Sequence, residues 1–508
     1  MRLTRRQYLK TTASAVTLAT IAPADSPGLM WWSEPDNAIN HSGGRLSWVV
    51  STDDLGALEE EVGRYDDVRW LDARVHEPTK TVTLVASPGD MGARQRDRLS
   101  GSGLADLSFV ESIEVNRSLP MVRPLEPEGS SAWSSPGRTL QTHLEIFGDG
   151  ALSRSGVAFD RDMDGGDLSD VRQITGETET NVTTSGLTIA VIDTGVNDGD
   201  AIAESRLLTT SKDFTDGDET GTDAAADGDG HGSWVASCMA ADTGDRYAGY
   251  LPDADILAIK ALSDDGSGSI DDIANAIKYA ADQGADVICL SLGSPQFSPA
   301  IEGALEYATQ EGAIPVAAAG NDRQLSRWLA YPASSQWTIA VGATTVAAPD
   351  EAQSAYFSNV GPHNGISDMS DGETLDAMPT VGAPGCEITA QVPRRTGSDT
   401  ERALTGTSMA APVVAGIVGL RLADGGSTDF DDIQTDLEAT SRPIPNAAEE
   451  EVGAGMANAD ALLSGTEPEE PQAEVMTDEA ATRGVAYSQL SGSRYARALT
   501  SVQQTLGF

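Results

Sequence analysis

Apolar and polar residues follow two different patterns along the chain and divide it into a small leading module and a larger second one. In the leading module the pattern predicts strands and helices in the order strand 46–51, helix 55–65, strand 68–75, strand 81–86, helix 91–100 and strand 107–115. That order is a split βαβ unit, so we expect a small α+β, ferredoxin-like domain over residues 40–120. A generic α+β module is the alternative.

The larger module, over residues 174–464, contains short and nearly continuous apolar runs such as 188–192 and 287–290. Runs of this length are typical of strands that are buried on both faces of a parallel sheet. The segments 234–240 and 409–420 have the composition of buried helices. We therefore expect a three-layer α/β/α fold with a mainly parallel sheet.

Four polar side chains stand at the ends of these predicted elements. Asp193 and Asn321 each follow a strand-like run, and His231 and Ser408 each stand at the start of a helix. Open α/β sheets place their active sites at the carboxyl ends of the strands. Asp193 would orient His231, and His231 would take the proton of Ser408. The Ser408 N–H and the Asn321 side chain would then bind the oxyanion.

Each of these residues, taken alone, also has a purely structural explanation. An aspartate after a strand is commonly a turn residue, a histidine beside glycine a solvated loop residue, and a serine before a helix its cap. An asparagine after glycine is likewise a common turn. Their joint occurrence in the order Asp, His, Ser favours acyl transfer over these explanations.

The segments around these residues are similar to the motifs of one peptidase family. Residues 191–195 read Val-Ile-Asp-Thr-Gly, residues 229–232 read Asp-Gly-His-Gly, and residues 406–412 read Gly-Thr-Ser-Met-Ala-Ala-Pro. In this order they resemble the subtilase family of subtilisin-like serine peptidases, over residues 174–464. The resemblance implies an endopeptidase that hydrolyses proteins or peptides through an acyl-enzyme on Ser408 and needs no cofactor for its chemistry.

Further segments extend the resemblance to substrate binding. Residues 290–293 resemble the substrate-binding strand of the family, and 453–459 resemble its closing motif. The resemblance implies that the substrate is bound by Ser291, Leu292, Gly293, Ala319 and Gly320. The family usually has histidine where Trp234 stands, so we expect the S2 side of the cleft to change shape. We also expect the polar stretch 361–376 to be an insertion.

The leading domain resembles the propeptide of subtilases, which implies that it templates folding and inhibits the enzyme until it is cut off. Residues 121–173 are predicted to form a linker that contains the self-cleavage site. Residues 1–24, with Arg5 and Arg6 before a short apolar stretch, resemble a twin-arginine export signal. Because that stretch is too short for a membrane span, we expect a secreted protein without one.

Acidic residues dominate the composition. There are 78 Asp and Glu against 33 Lys and Arg, and the formal net charge is −45. Such a field repels phosphates, which argues against nucleic acid as a partner. We interpret the acidity as adaptation to high salt, which screens the self-repulsion of the folded chain. Disorder is the alternative, but 39% hydrophobic residues and the patterned core favour a folded domain.

Two acidic segments are candidates for metal binding. Residues 160–170 resemble the first half of an EF-hand-type calcium loop, with alternating aspartates followed by glycine. The candidate ligands of a structural calcium ion are Asp160, Asp162, Asp164 and Asp167. A solvated loop is the alternative, because Val171 occupies the position of the bidentate glutamate. The run 213–229 is less specific, and we interpret it as salt-adapted surface.

The remaining features carry less information. The three cysteines are too few for a disulfide framework, and we expect Cys238 and Cys289 to be buried core residues. Residues 465–508 are predicted to form an acidic linker and a helix with one apolar face. Two other functions fit the same motifs, namely a limited-processing or ligating peptidase and a non-catalytic binding protein with a subtilase fold. The intact set Asp193, His231, Ser408 and Asn321 favours the endopeptidase.

Overall fold

A computed structural model describes two parts of the chain. In the leading part it describes residues 46–52, 54–62, 68–70, 81–86, 110–115 and 118–120. In the second part it describes residues 157–158 and 165–466, with gaps in the latter range at 178–181, 216–218, 295–296, 324–328, 356, 362, 365–375, 396–397 and 446. The predicted export signal, the parts 121–156 and 159–164 of the predicted linker 121–173, and the tail beyond 466 lie outside the described residues.

The leading part forms a four-stranded antiparallel sheet with one described helix. Its elements are β1 (Leu46–Thr52), α1 (Leu55–Val62), β2 (Val68–Trp70), β3 (Thr81–Ala86), β4 (Val110–Val115) and a short further strand, β5 (Ser118–Pro120). The sheet order is β2-β3-β1-β4, in which β1 pairs with both β3 and β4. This is the order of the split βαβ unit that the pattern predicted. The predicted helix 91–100 lies outside the described residues.

The second part contains the strands and helices of a larger α/β domain. Its strands are β6 (Val157–Ala158), β7 (Gly166–Asp167), β8 (Thr188–Asp193), β9 (Lys212–Asp213), β10 (Asp255–Lys260), β11 (Ser267–Ser269), β12 (Val287–Leu290), β13 (Ile314–Ala318), β14 (Ile339–Thr344), β15 (Ser354–Ala355), β16 (His363–Asn364), β17 (Asp376–Ala377), β18 (Val381–Pro384), β19 (Ile388–Val392) and β20 (Thr400–Leu404). Its helices are α2 (Leu168–Ile174), α3 (His231–Ala240), α4 (Gly244–Tyr247), α5 (Ile270–Asp282), α6 (Pro299–Gln310), α7 (Thr407–Ala423), α8 (Phe430–Thr440), α9 (Glu449–Val452) and α10 (Ala459–Ser464), with a 3₁₀ turn at Glu204–Arg206.

A nine-stranded sheet forms the middle layer of this domain. Its order is β6-β15-β14-β13-β12-β8-β10-β9, and β18 also pairs with β14. Every pairing except that of β14 with β15 is parallel. The sequence passes from β8 outward in both directions, so the strand ends at β8 and β12 lie where the order reverses. Such a switch point is where open α/β sheets bind ligands.

Helices cover both faces of the sheet, which confirms the three-layer α/β/α fold. Along β8 the side chains alternate, so that Ile189 and Val191 join the apolar cluster under α3 and α7, while Ala190 and Ile192 join the cluster under α5 and α6. Both sets are fully buried. This explains why the strand has a continuous apolar run rather than an alternating one.

Helix α7 is buried over most of its length and contacts α3 and the strands β12, β13 and β14. Glycines on its far side permit this depth of packing. A Cβ at Gly416 would lie 2.8 Å from Tyr250, and one at Gly419 would lie 2.5 Å from Leu251. The first turn of α7 is thereby fixed against the carboxyl ends of the central strands.

The leading part of the chain contacts the larger domain at two places. Strand β5 pairs antiparallel with β11, with Leu119 opposite Gly268. Val49 of β1 belongs to the apolar cluster under α5 and α6. Within the described residues, none of the helices combines the length and the apolar character that crossing a bilayer requires.

Candidate active site

Two side chains predicted to act as acid and base are in direct contact. Asp193 is the last residue of β8 and His231 is the first residue of α3. The Nδ1 atom of His231 lies 2.8 Å from Oδ1 of Asp193, and both side chains are buried. Because a carboxylate only accepts, Nδ1 carries the proton and Nε2 is the basic nitrogen. His231 Nε2 has no hydrogen-bond partner among the described residues.

The surroundings of His231 set its basicity. Burial lowers the pKa of the imidazole, but the charge of Asp193, its hydrogen bond, and the charges of Asp229 and Asp227 raise it by more. The net result is a pKa above the ordinary 6.5. The buried imidazole is therefore a stronger base than a solvated histidine.

Ser408 is the second residue of α7, and that helix packs against α3, which begins with His231. The Ser408 hydroxyl donates to the Ser291 carbonyl at 3.4 Å, and the Ser291 hydroxyl donates to the Ser408 carbonyl at 3.1 Å. Pro412 explains the second bond. It has no N–H to give to the carbonyl four residues earlier, so the carbonyl of Ser408 is open to the side chain of Ser291.

Asn321 is fixed by Thr407, the residue before Ser408. The Oδ1 atom of Asn321 accepts from the Thr407 N–H at 2.9 Å and from its hydroxyl at 2.8 Å. The same hydroxyl accepts from the Gly320 N–H at 3.1 Å. Because a backbone N–H can only donate, the atom facing it is Oδ1, and the Asn321 amide nitrogen lies on the other side of the group. The amide nitrogen can thus serve as a donor next to the first turn of α7.

Gly320 is the position where the backbone requires glycine. Its φ is +106°, and a Cβ there would lie 2.4 Å from the side-chain amide of Asn359. The Asn359 N–H donates to the Gly320 carbonyl at 2.9 Å, and its Oδ1 accepts from the Asp322 N–H at 2.8 Å. The turn that carries Asn321 is held on both sides by Asn359.

The residues expected to bind substrate leave the sheet side by side. Ser291, Leu292 and Gly293 follow β12, while Ala319 and Gly320 follow the neighbouring strand β13. All five are buried. The structure thus brings these five residues to the edge of the sheet where Asp193 and Asn321 also lie. The first turn of α7, with Ser408, packs against the same edge.

Trp234 does not shape the cleft. Its ring is fully buried, and its indole N–H donates to the carbonyl of Arg402 in β20 at 2.9 Å. The expectation of a changed S2 side was therefore wrong. Here its side chain supports β20, the strand that leads to Ser408.

Three of the four predicted calcium ligands, Asp160, Asp162 and Asp164, lie outside the described residues. Asp167 is described and caps α2, where its Oδ1 accepts from the Ser169 and Asp170 N–H groups. Its Oδ2 accepts from Arg246 at 2.7 Å. Both oxygens already have donors, so a cation at Asp167 would have to displace Arg246. Within the described ranges no cluster of three or more His, Cys, Asp or Glu could hold a metal ion.

The cysteines are buried and form no disulfide. Burial raises the pKa of the Cys238 thiol, and burial likewise raises that of Cys289. Neither thiol is therefore ionised at neutral pH, and neither competes with Ser408 as a nucleophile.

Sequence reasoning missed Asp227. It lies in the run 213–229, which was interpreted as salt-adapted surface, yet Asp213 and Asp227 are buried. Asp227 accepts hydrogen bonds from several groups around His231. The one signal in the sequence is its position four residues before His231, and the acidity of the surrounding run hides it.

Comparisons with known proteins agree with this geometry. The profile of the "Subtilase family" matches residues 184–455, more than half of the chain. Thermitase of Thermoactinomyces vulgaris is 36% identical over 262 residues, which cover 51% of this chain and 82% of thermitase. The major intracellular serine protease of Bacillus subtilis (strain 168) is 35% identical over 237 residues, covering 46% of this chain and 67% of the protease.

A second serine proteinase and a solved structure extend the comparison. The thermophilic serine proteinase of Bacillus sp. (strain AK1) is 37% identical over 262 residues, which cover 51% of this chain and 57% of that protein. Fervidolysin of Fervidobacterium pennivorans, described as a keratinolytic enzyme related to subtilisin, superposes with a TM-score of 0.60 at 23% identity, over 85% of this chain and 63% of fervidolysin. The last likeness supports the fold alone. The chain belongs to the subtilase family and is a serine endopeptidase.

Proposed function

We propose that this chain is a secreted, self-processing and salt-adapted endopeptidase that uses Asp193, His231, Ser408 and Asn321 in catalysis. The observation that carries the proposal is the buried 2.8 Å contact between His231 and Asp193. It fixes the tautomer with the basic nitrogen away from Asp193. The helix that starts with His231 packs against the helix whose first turn contains Ser408.

In the proposed mechanism the four side chains act first in acylation of Ser408 and then in hydrolysis of the acyl-enzyme. The Ser408 Oγ attacks the peptide carbonyl while His231 Nε2 takes its proton, and Asp193 holds the imidazolium that results. The Ser408 N–H and the Asn321 amide stabilise the oxyanion. The imidazolium then protonates the leaving amine, and water hydrolyses the acyl-enzyme by the same route. Catalytic hydrogen bonds of this kind commonly tighten only in the complex with substrate, so the bond of the Ser408 hydroxyl to the Ser291 carbonyl is compatible with this role.

We assign substrate binding to Ser291, Leu292, Gly293, Ala319 and Gly320, which follow β12 and β13 where Ser291 contacts Ser408 and Gly320 contacts Thr407. The leading domain would act as the inhibitor. Strand β5 lies antiparallel on β11, and the chain continues from β5 into the linker that must be cut. Main-chain pairing of this type would hold a peptide segment against the domain without depending on its side chains.

The described lysines support salt adaptation. The ammonium of Lys212 lies 4.5 Å from the ring centre of Phe214, and that of Lys278 lies 5.5 Å from the ring centre of Tyr307. Lys260 is buried. In the described part of the chain, each lysine therefore packs against an aromatic ring or is buried. The lysines add little positive charge to the acidic surface. Stability should rise with potassium chloride concentration as the charge is screened.

We further propose export by the twin-arginine route, from Arg5 and Arg6, and a structural calcium ion held by Asp160, Asp162 and Asp164, without Asp167, whose oxygens are bonded to Arg246 and to its own helix. Replacing both arginines by lysine should stop export of the folded enzyme.

Calcium addition should raise the melting temperature, and the variant Asp160→Asn/Asp162→Asn should lose that increase. A calcium-independent melting temperature would remove the second proposal.

The proposed function is tested by producing the chain and its Ser408→Ala variant in high salt and following both by intact mass and by casein digestion. We expect the wild type to shed its leading domain and digest casein broadly, and the variant to stay whole and inactive. Cleavage at a single type of site would favour a limited-processing peptidase. An unprocessed and inactive wild type would favour a binding protein.

A further inference from the structure

Asp227 is a buried carboxylate with an unusual number of donors. It lies in the loop before α3, and only 8% of its surface is exposed. Its Oδ1 accepts from the Thr194 hydroxyl at 2.9 Å, from the Asp229 N–H at 3.0 Å and from the Gly230 N–H at 2.8 Å. Its Oδ2 accepts from the Ser233 N–H at 2.8 Å. A buried carboxylate with this many donors is held in one orientation.

These donors belong to two chain segments that must meet in the active site. Thr194 follows Asp193 directly, and its N–H donates to Asp193 Oδ1 at 2.7 Å. The Thr194 hydroxyl also accepts from the Gly232 N–H at 3.0 Å. The other donors lie on either side of His231. Asp227 therefore connects the segment of the acid with the segment of the base.

Asp227 also takes the place of a helix cap. The N-cap of α3 is Gly230, with φ +97° and no side chain to accept from the first turn. Asp227 supplies that acceptor through Ser233, and an anion at this end of a helix is stabilised by the helix dipole. Its own backbone is fixed by Asn197, which receives the Asp227 N–H at 3.1 Å and donates to the Asp227 carbonyl at 2.8 Å.

The charge of Asp227 acts on the imidazole in the same sense as two other carboxylates. Asp193 and Asp229 also raise the pKa of His231, against the effect of burial. The cations near these groups are Arg402, whose charge acts on Asp229, and Lys260, whose ammonium donates to the Thr194 carbonyl at 2.7 Å and to Asp264 at 2.5 Å. Asp227 is thus one of three anions around His231.

We propose that Asp227 is a positioning residue of this enzyme, whose buried carboxylate holds the Asp193 and His231 segments in contact and adds negative charge around the imidazole. The inference rests on the proposed roles of Asp193, His231 and Ser408. It assigns a task to one aspartate of a run that composition alone places on the surface. Asp227 acts through other residues and has no contact with the reacting atoms.

The test compares Asp227→Asn and Asp227→Ala with the wild-type chain, matured in high salt, by kcat, KM and the pH profile of kcat/KM. Asp227→Asn keeps the shape and loses the charge, so the acid limb should move to lower pH. Asp227→Ala loses the hydrogen bonds as well, and misplacement of the base should lower kcat by about 100-fold with little change in KM. Asp200→Asn, at an exposed residue, removes the same charge and is the control.

The outcomes separate this inference from the proposed function. If the wild type itself is inactive, the proposed function fails. If the wild type is active and both Asp227 variants keep its kcat and its acid limb, the role of Asp227 is refuted. If Asp227→Ala does not fold, Asp227→Asn decides alone, because a merely structural residue would not move the acid limb away from that of Asp200→Asn.

Discussion

The two halves of the proposed active site are held in place by different kinds of interaction. Around His231 the bonds are charged, since Asp193 and Asp227 accept from the imidazole, a hydroxyl and several backbone N–H groups. Around Ser408 they are neutral, since Ser291, Thr407 and Asn321 exchange bonds between hydroxyls, carbonyls and an amide. His231, the proposed base, is thus surrounded by carboxylates, and Ser408, the proposed nucleophile, by neutral groups.

The difference follows from how each half is built. The acid and the base come from the end of one strand and the start of a helix behind a loop, and anions can join such separate segments because charged hydrogen bonds are strong. Ser408 stands on the first turn of a long buried helix, whose packing already fixes it. A buried charge next to Ser408 would cost desolvation free energy, and it is not needed because the packing of α7 already positions Ser408.

The nucleophile half has one charged pair behind it, Arg323 with Glu451, and its removal gives the largest effect that we expect. Both side chains are buried, and Arg323 stands two residues after Asn321. Arg323→Met should cost about 3–5 kcal/mol of unfolding free energy, because Glu451 is left buried and unpaired. Chemical denaturation in high salt measures it.

The double variant Arg323→Met/Glu451→Leu is the matched control for this pair. An apolar pair of similar volume removes the unpaired charge, so most of the stability should return. Well below the melting temperature kcat should stay close to that of the wild type in both variants. A large fall in kcat in the stable double variant would mean that charge also positions the nucleophile half, and the contrast between the halves would fail.

Removal of the Asn321 amide should have the next largest effect. Asn321→Ala loses the donor to the oxyanion and should lower kcat by about 10²–10³-fold with little change in KM. Steady-state kinetics on a peptide anilide measures both constants. The acid limb should stay in place, because no charge is lost, which separates this variant from Asp227→Asn. Thr407→Ser keeps the hydroxyl that holds Asn321, and its much smaller loss serves as the control.

The smallest effect should follow from the indole of Trp234, which joins the two halves by a neutral bond to the strand before Ser408. Trp234→Phe leaves the half-buried carbonyl of Arg402 without this donor and should cost about 1 kcal/mol in unfolding free energy. Trp337→Phe, at a partly buried indole that packs on the other apolar cluster, is the matched control. Equal losses in the two variants would show that the bond to Arg402 contributes nothing.

Sequence patterns predicted the layers and much of the site because both depend on local rules. The run 188–192 became β8, the segment 409–420 became the middle of α7, and the strand order of the leading sheet follows its split βαβ pattern. Asp193 could be located because it ends a buried strand, and Asn321 because it closely follows one. In each case the residue types within a short window determine the element.

The rest depends on contacts between distant segments. Asp227 looks like its acidic neighbours until Thr194, 33 residues earlier, is seen to donate to it. Trp234 looked like a cleft residue because it is close to His231 in sequence, but its partner Arg402 is 168 residues away. Asp167 looked like a calcium ligand, although Arg246 and its own helix supply donors to both oxygens. Periodicity carries no information about such partners.

The most direct test of the account is the rate at which a fluorophosphonate labels the mature enzyme between pH 5 and pH 9, with the labelled residue identified by peptide mass. Labelling requires neutral His231, and its raised pKa means that the rate should climb through a midpoint above the ordinary 6.5. We expect the label on Ser408 alone and none on Ser408→Ala. A label on another residue, or a rate that does not change over this range, would contradict the central claim that His231 activates Ser408.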